Sequence, residues 1–155
     1  MKLTWDLPLD ADGIAGELDD GTPFVVRPIR ATDGPALATA FERMSARSRY
    51  LRFFSVRARL GAELTERLTD IDHDGHRAWV VADPTVPSEV GSNEGLGIAV
   101  ARLIDVEGEP GVAEAALVVT DEYQGRGFGR LLLELLVGTA RDVGIEFIRL
   151  SLIHI

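Results

Sequence analysis

The 155-residue chain has no cysteine and a single lysine, Lys2. The lack of thiols excludes disulfides, thiolate metal sites and a covalent cysteinyl intermediate. No apolar run approaches the ~20 residues of a membrane span, so an integral membrane protein is not expected. The N-terminal "MKLTWDLPLD" has one lysine followed by acids, unlike a secretory leader, and the expected location is the cytoplasm. A Gly-x-Ser-x-Gly elbow is missing, which leaves serine-hydrolase chemistry without support. Positive charge is scarce as well. A net charge of −9 opposes general nucleic-acid binding, because phosphate neutralisation needs a basic surface.

What is present describes one folded domain. The length supports a single core, and 46% apolar with 26% charged residues is the balance of a globular chain. The charges are unevenly spread. Residues 1–22 form an acidic arm with Asp6, Asp10, Asp12, Glu17, Asp19 and Asp20, whereas 43–59 hold Arg43, Arg47, Arg49, Arg52, Arg57 and Arg59 with no acid. The arginine run reads as a solvated helix face, with docking of an anion or acidic partner as the alternative.

The alternating, β-branched "PFVVRPIR" (23–30) is expected as a strand. Thr32 and Asp33 as a cap, Pro35 in the first turn and apolar Leu37, Ala40, Phe41 and Met44 announce a helix. A turn or short helix carries Tyr50 to Phe54, and a second helix spans 61–71. Strands follow at 76–83, 96–105 and 112–119, the first two separated by the Pro/Gly/Ser-rich connection 84–95. A helix from about 127 to 143 stops at Gly144, and "IEFIRLSLIHI" makes a last strand. The expected class is α/β of the α+β kind: a mixed, mostly antiparallel sheet in the order β-α-α-β-β-β-α-β. Trp79 and Phe53/Phe54 read as core. His73-x-x-His76, flanked by acids, reads as a turn entering a strand, with a divalent metal as the weaker alternative.

The most informative segment is "YQGRGFGR", Tyr123 to Arg130, between the apolar strand "AALVV" and the leucine-rich helix. Glycines 125, 127 and 129 permit positive φ and a close backbone approach. A following helix offers unpartnered N–H groups and a partial positive charge to an anion, and Arg126 and Arg130 add cationic donors. A P-loop is excluded, since Arg130 is followed by Leu131 and no lysine is available. A dinucleotide fingerprint fails on spacing, with Arg130 where its third glycine belongs.

Gln124-x-x-Gly127-x-Gly129 before a leucine-rich helix resembles the pyrophosphate signature Gln/Arg-x-x-Gly-x-Gly/Ala of the GNAT N-acetyltransferase family. Over residues 24–150 the element order is similar to that family's core. "VVRPIRATD", "MSARSRYLRFF" and "VAEAALVVTDEYQGRGFGRLLLELL" resemble the acetyltransferase domains of bacterial protein-lysine acetyltransferases. The resemblance implies acetyl-CoA as co-substrate, held by the backbone of Leu117, Val118 and Val119 and by the amides of Gln124, Gly125, Arg126, Gly127, Phe128, Gly129 and Arg130. It also implies direct acetyl transfer to an amine, with a protein lysine or a small-molecule amine as acceptor. The other class left open is a non-catalytic acyl-CoA-binding module.

Such transfer needs the ammonium deprotonated. Glu114 shares a strand face with Ala116 and Val118, small or apolar neighbours that would desolvate its carboxylate and raise its pKa. The resemblance places a glutamate at the matching position; the alternative is a strand-end glutamate facing water. Asp121 and Glu122 read as solvated or capping. Family members usually continue past the fifth strand with a helix and two strands. Leu150–Ile155, "LSLIHI", is also the in-frame translation of a widely used transposase sequencing adapter. The expectation is therefore a core at 23–149 followed by an adapter-derived tail at 150–155 in a truncated chain, with a real strand as the alternative.

Overall fold

A computed structural model describes residues 13–45, 61–88, 90 and 94–150. Residues 1–12 of the acidic arm, Arg47, Arg49, Arg52, Arg57 and Arg59, the Tyr50–Phe54 segment and Ser151–Ile155 lie outside these residues.

Six strands form one sheet in sequential order: β1 (Ile14–Glu17), β2 (Pro23–Pro28), β3 (His76–Asp83), β4 (Leu96–Asp105), β5 (Val112–Val119) and β6 (Phe147–Leu150). All neighbours are antiparallel except β5 and β6, which run parallel. Parallel neighbours need a crossover, and helix α3 (Phe128–Asp142) supplies it. Helices α1 (Gly34–Arg43) and α2 (Ala62–Thr69) lie between β2 and β3. The expected order is present, preceded by one further strand. Ile14–Glu17, read as part of the arm, pairs with β2.

The two-residue period of the strands separates two faces. Phe24, Val26, Trp79, Val81, Ala101, Leu103, Ala113 and Ala115 point into a core completed by Leu131, Leu132, Leu135, Leu136 and Ala140 of α3. Each fully buried leucine contributes roughly 1.5–3 kcal/mol. The alanines of β4 and β5 let the helix pack close to the sheet. Helix α3 ends where the sequence indicates. Gly144 takes φ +81°, Ile145 N–H donates to Ala140 O at 2.8 Å, and Gly144 N–H reaches Arg141 O at 3.4 Å, forming a Schellman stop.

The start of α1 differs from expectation. Pro35 is in its first turn, but Asp33 makes no capping bond to the helix. Its carboxylate instead accepts the Arg30 N–H at 2.7 Å and both terminal nitrogens of Arg27, at 2.8 and 2.6 Å. Arg27 is buried, and its Nε donates to Glu94 at 2.7 Å. A guanidinium withdrawn from water requires such partners, and that demand outweighs capping.

The segment from Asp72 to His76 is a turn. Asp72 Oδ1 accepts the N–H groups of Asp74 and His76 at 2.9 and 3.2 Å. His76 Nε2 lies 3.1 Å from Nη1 of the buried Arg102, which also donates to Leu68 O at 2.7 Å. A guanidinium can only donate, so Nε2 is the acceptor and the ring is neutral. Burial, and then the charge of Arg102, push the His76 pKa down to about 4. In the unfolded chain it titrates near 6.5. Between these values the unfolded state binds a proton that the native state refuses. This contribution to stability is complete above about pH 6.5 and is lost as the pH falls toward 4. We expect the loss of unfolding free energy from pH 7 to pH 5, measured by denaturant titration, to be smaller in His76→Gln by on the order of 1 kcal/mol, after allowing for solvent screening of a half-buried ring. Identical slopes in variant and parent would contradict the assignment.

Candidate functional site

Strand β5 sets the site through the direction of its backbone. Thr120 N–H donates to Ile98 O at 2.9 Å, which extends the β4 ladder past the end of the strand. Antiparallel pairing alternates, so even-numbered residues turn their N–H and C=O toward β4. Leu117 and Val119 turn theirs to the opposite edge. The register with β6 ends at Ala115 and Leu150. Beyond it, the Val119 carbonyl accepts the side-chain amide of Gln124 at 2.9 Å. Gln124 thus ties the loop to the strand it leaves.

The chain then makes a 3-10 turn, Asp121–Tyr123, with Tyr123 N–H on Thr120 O at 3.0 Å. Tyr123 is buried, and its ring meets Phe128 edge-on at 6.1 Å. Phe128 in turn meets Phe24 of β2 at 6.0 Å. These rings fix the first turn of α3 against the core. Gly125 and Gly127 take φ +75° and +108°. Gly129 does not share that conformation, contrary to expectation. It lies inside the helix, because the buried Phe128 already starts it.

The N-cap of α3 is Gly127, and no side chain among the described residues caps the helix. Its first intrahelical bond is Leu131 N–H to Gly127 O at 3.1 Å, so the amides of Phe128, Gly129 and Arg130 precede it without intrahelical acceptors. A Cβ built on Gly125, Gly127 or Gly129 meets nothing within 4 Å. At Gly95, by contrast, it would come within 2.2 Å of Asp83 O, so the chain's own packing requires glycine there. Packing imposes no such demand at Gly129, whose backbone suits alanine. The three glycines leave open space in front of the first N–H groups of the helix, at the positive end of its dipole, an arrangement that suits a pyrophosphate. Two cations stand beside this space. The Arg126 guanidinium lies 4.7 Å above the Tyr123 ring centre, and Arg130, 87% exposed, contacts Glu134 at 3.4 Å.

The even-numbered side chains of β5 face the other side of the sheet. Val118 and Thr120 line a cavity of about 290 Å³ between α1 and strands β2–β5, with Val25, Leu37, Ala40 and Val80 among its apolar walls. The Thr120 hydroxyl is buried without a hydrogen-bond partner among the described residues. Glu114 is on this face, half-buried, beside Ile104 and Arg149 in the register. Arg149 bonds Glu109 instead, and the Glu114 carboxylate has no hydrogen-bond or ion-pair partner among the described residues. Asp121 accepts the Ser45 N–H at 3.2 Å and Glu122 is exposed. Among the described residues no group of three His, Asp or Glu side chains is placed to hold a metal, and no helix is long and apolar enough to cross a membrane.

The model of the acetyltransferase (GNAT) family matches residues 44–153. The chain belongs to this family. Its members use acetyl-CoA as co-substrate, and the open space at the start of α3 suits that molecule's pyrophosphate. The chain is 32% identical to acetyltransferase Pat of Mycolicibacterium smegmatis over 126 residues, covering 81% of this chain and 35% of that protein. It is 29% identical to an acetyltransferase of Pseudomonas aeruginosa, covering 89% of this chain and 70% of the relative. The chain therefore spans about a third of the first relative and about two thirds of the second. The GNAT domain of PAT from S. lividans superposes with a TM-score of 0.73 at 30% identity, covering 88% of this chain and 76% of that one.

Sequence reading missed Tyr123, Asp83 and Thr120. A lone aromatic among polar turn residues was the available signal for Tyr123. No local pattern could show that Asp83 meets it, because the two are 40 residues apart.

Because Gly129 is helical and faces open space, Gly129→Ala should keep or raise the melting temperature. Gly129→Glu, whose longer side chain fills the same open space with a negative charge, should weaken acetyl-CoA binding at least several-fold by calorimetry. Unchanged affinity in the folded variant would remove this space from the site.

Proposed function

We propose that the chain is an N-acetyltransferase moving an acetyl group from acetyl-CoA directly to a primary amine, with a protein lysine as acceptor, in the cytoplasm. The observation that carries the reading is the row of uncovered amides at the start of α3, continuous with the outward-facing backbone of Leu117 and Val119. Amides from Gly125 to Arg130 hold the pyrophosphate, and the β5 edge aligns the pantetheine arm as an added half-strand, as the family resemblance implies. The arm then runs toward the start of β5, where Glu114 stands.

Glu114 is the general base in this reading. Its Cα is about 10 Å along the strand from that of Leu117, a gap that a glutamate side chain and one water bridge. Its carboxylate, with no partner among the described residues, takes the proton of the acceptor ammonium. The amine lone pair then attacks the thioester carbon, the C–S bond breaks, and the second nitrogen proton passes to the departing thiolate, so that coenzyme A leaves as the thiol. The absence of cysteine removes a cysteinyl-enzyme route and supports direct transfer. The acceptor assignment rests on the resemblance to bacterial protein-lysine acetyltransferases.

Glu114→Gln should lower turnover by about 10²–10⁴-fold, read as free-thiol release with a lysine peptide, while acetyl-CoA affinity by calorimetry stays within twofold. An unchanged rate would remove Glu114 from the mechanism. Binding of acetyl-CoA by the parent chain without thiol release, for peptide and small-molecule amines alike, would make it a binding module.

A further inference from the structure

The glycine loop has a long-range anchor that neither the family motif nor the proposed chemistry includes. Tyr123 is buried, and its hydroxyl donates to Asp83 Oδ2 at 2.7 Å. Asp83 is at the end of β3, which is separated from β5 by the whole of β4. The bond therefore straps the loop across a strand to the middle of the sheet. Asp83 is itself held rigidly. Its Oδ1 accepts the Thr85 N–H at 2.9 Å and the Thr85 hydroxyl at 2.6 Å, which fixes the plane of the carboxylate. Gly95 packs against the Asp83 backbone so closely that no side chain fits between them, so the connection into β4 also locks the residue.

Among the described residues, Asp121 at the head of the loop also accepts the Ser45 N–H at 3.2 Å, and the remaining ties are local. Gln124 reaches back to Val119, and Tyr123 N–H to Thr120 O. Neither fixes the height of the loop above the sheet, whereas a phenol seated on an immobile carboxylate does. Burial would raise the Asp83 pKa, but donation from Thr85 and Tyr123 prevails and holds it below the usual carboxylate range. Burial and the same bond push Tyr123 up to about 12. Carboxylate and phenol thus keep fixed charge states, a charged acceptor and a neutral donor, throughout the physiological range. The Arg126 guanidinium above the Tyr123 ring then rests on the same anchor, which places the loop's cation as well as its amides.

We propose that Asp83 is a positioning residue for the coenzyme: through the Tyr123 hydroxyl it fixes where the amides of residues 125–130 and the Arg126 guanidinium point. The inference rests on the acetyl-CoA reading, but its test separates the two. Tyr123→Phe removes one oxygen and keeps the ring; Asp83→Asn is the partner variant. For each, coenzyme A is titrated by calorimetry, and amide hydrogen exchange is compared without ligand. We expect the dissociation constant to rise about tenfold, as for a hydrogen bond to a charged group. Exchange should quicken at residues 124–130 while β4, Leu96–Asp105, exchanges as in the parent. Affinity within twofold of the parent, or exchange accelerated equally through β4, would overturn the positioning role. If the parent itself binds no coenzyme A, the acetyl-CoA reading fails; faster loop exchange in Tyr123→Phe still reads the strap alone.

Discussion

A helix that follows a strand must place its first amides somewhere, and in most chains a capping side chain takes them. Helix α3 begins on Gly127 and has no such cap among the described residues. Its first turn opens on a space that three glycines keep free of Cβ atoms, and much of the surrounding structure supports that arrangement. Phe128 is pressed into the core against Phe24, so the helix axis is fixed from its first residue. Four leucines and an alanine of α3 then seat it on the alanine-lined surface of β4 and β5. The exposed amides cost the chain internal hydrogen bonds, and core burial offsets that loss.

Strand β5 serves both binding and chemistry because of its two-residue period. Its odd-numbered side chains enter the α3 core, and their backbone groups face the edge where the pantetheine arm is proposed to lie. Its even-numbered side chains, Glu114 among them, lie on the other face of the sheet, where Val118 and Thr120 line the cavity under α1. A one-residue slip would put Glu114 into the core and the alanines onto the cavity face, so the register is strongly determined. Within that face the Thr120 hydroxyl is an exception. It is buried without a partner among the described residues, an arrangement that costs about 1–3 kcal/mol where no partner is met.

Much of the fold was legible in the sequence because its signals were local. Strands β3, β4 and β5 have the bounds that alternation and turn residues indicated, and Gly144 ends α3 by the expected backbone motif. Tertiary demands explain where the reading failed. Asp33 looked like a helix cap, but the buried Arg27 claims its carboxylate. Ile14–Glu17 was hidden in an acidic arm because an edge strand needs little apolar patterning. At the site, the glycine spacing located the loop, but glycine identity alone could not separate the positive φ of Gly125 and Gly127 from the helical Gly129. The Tyr123–Asp83 bond was invisible for another reason: strand order, not sequence distance, brings its ends together.

The central claim is that the open amides of α3 and the outer edge of β5 form one continuous surface for acetyl-CoA. Amide chemical-shift mapping of the chain titrated with coenzyme A tests it most directly. The largest changes should fall on Gly125 to Arg130 and on the amides of Leu117 and Val119, with β1 and β2 undisturbed. Changes confined to the walls of the α1 cavity, or none at saturating coenzyme A, would contradict it.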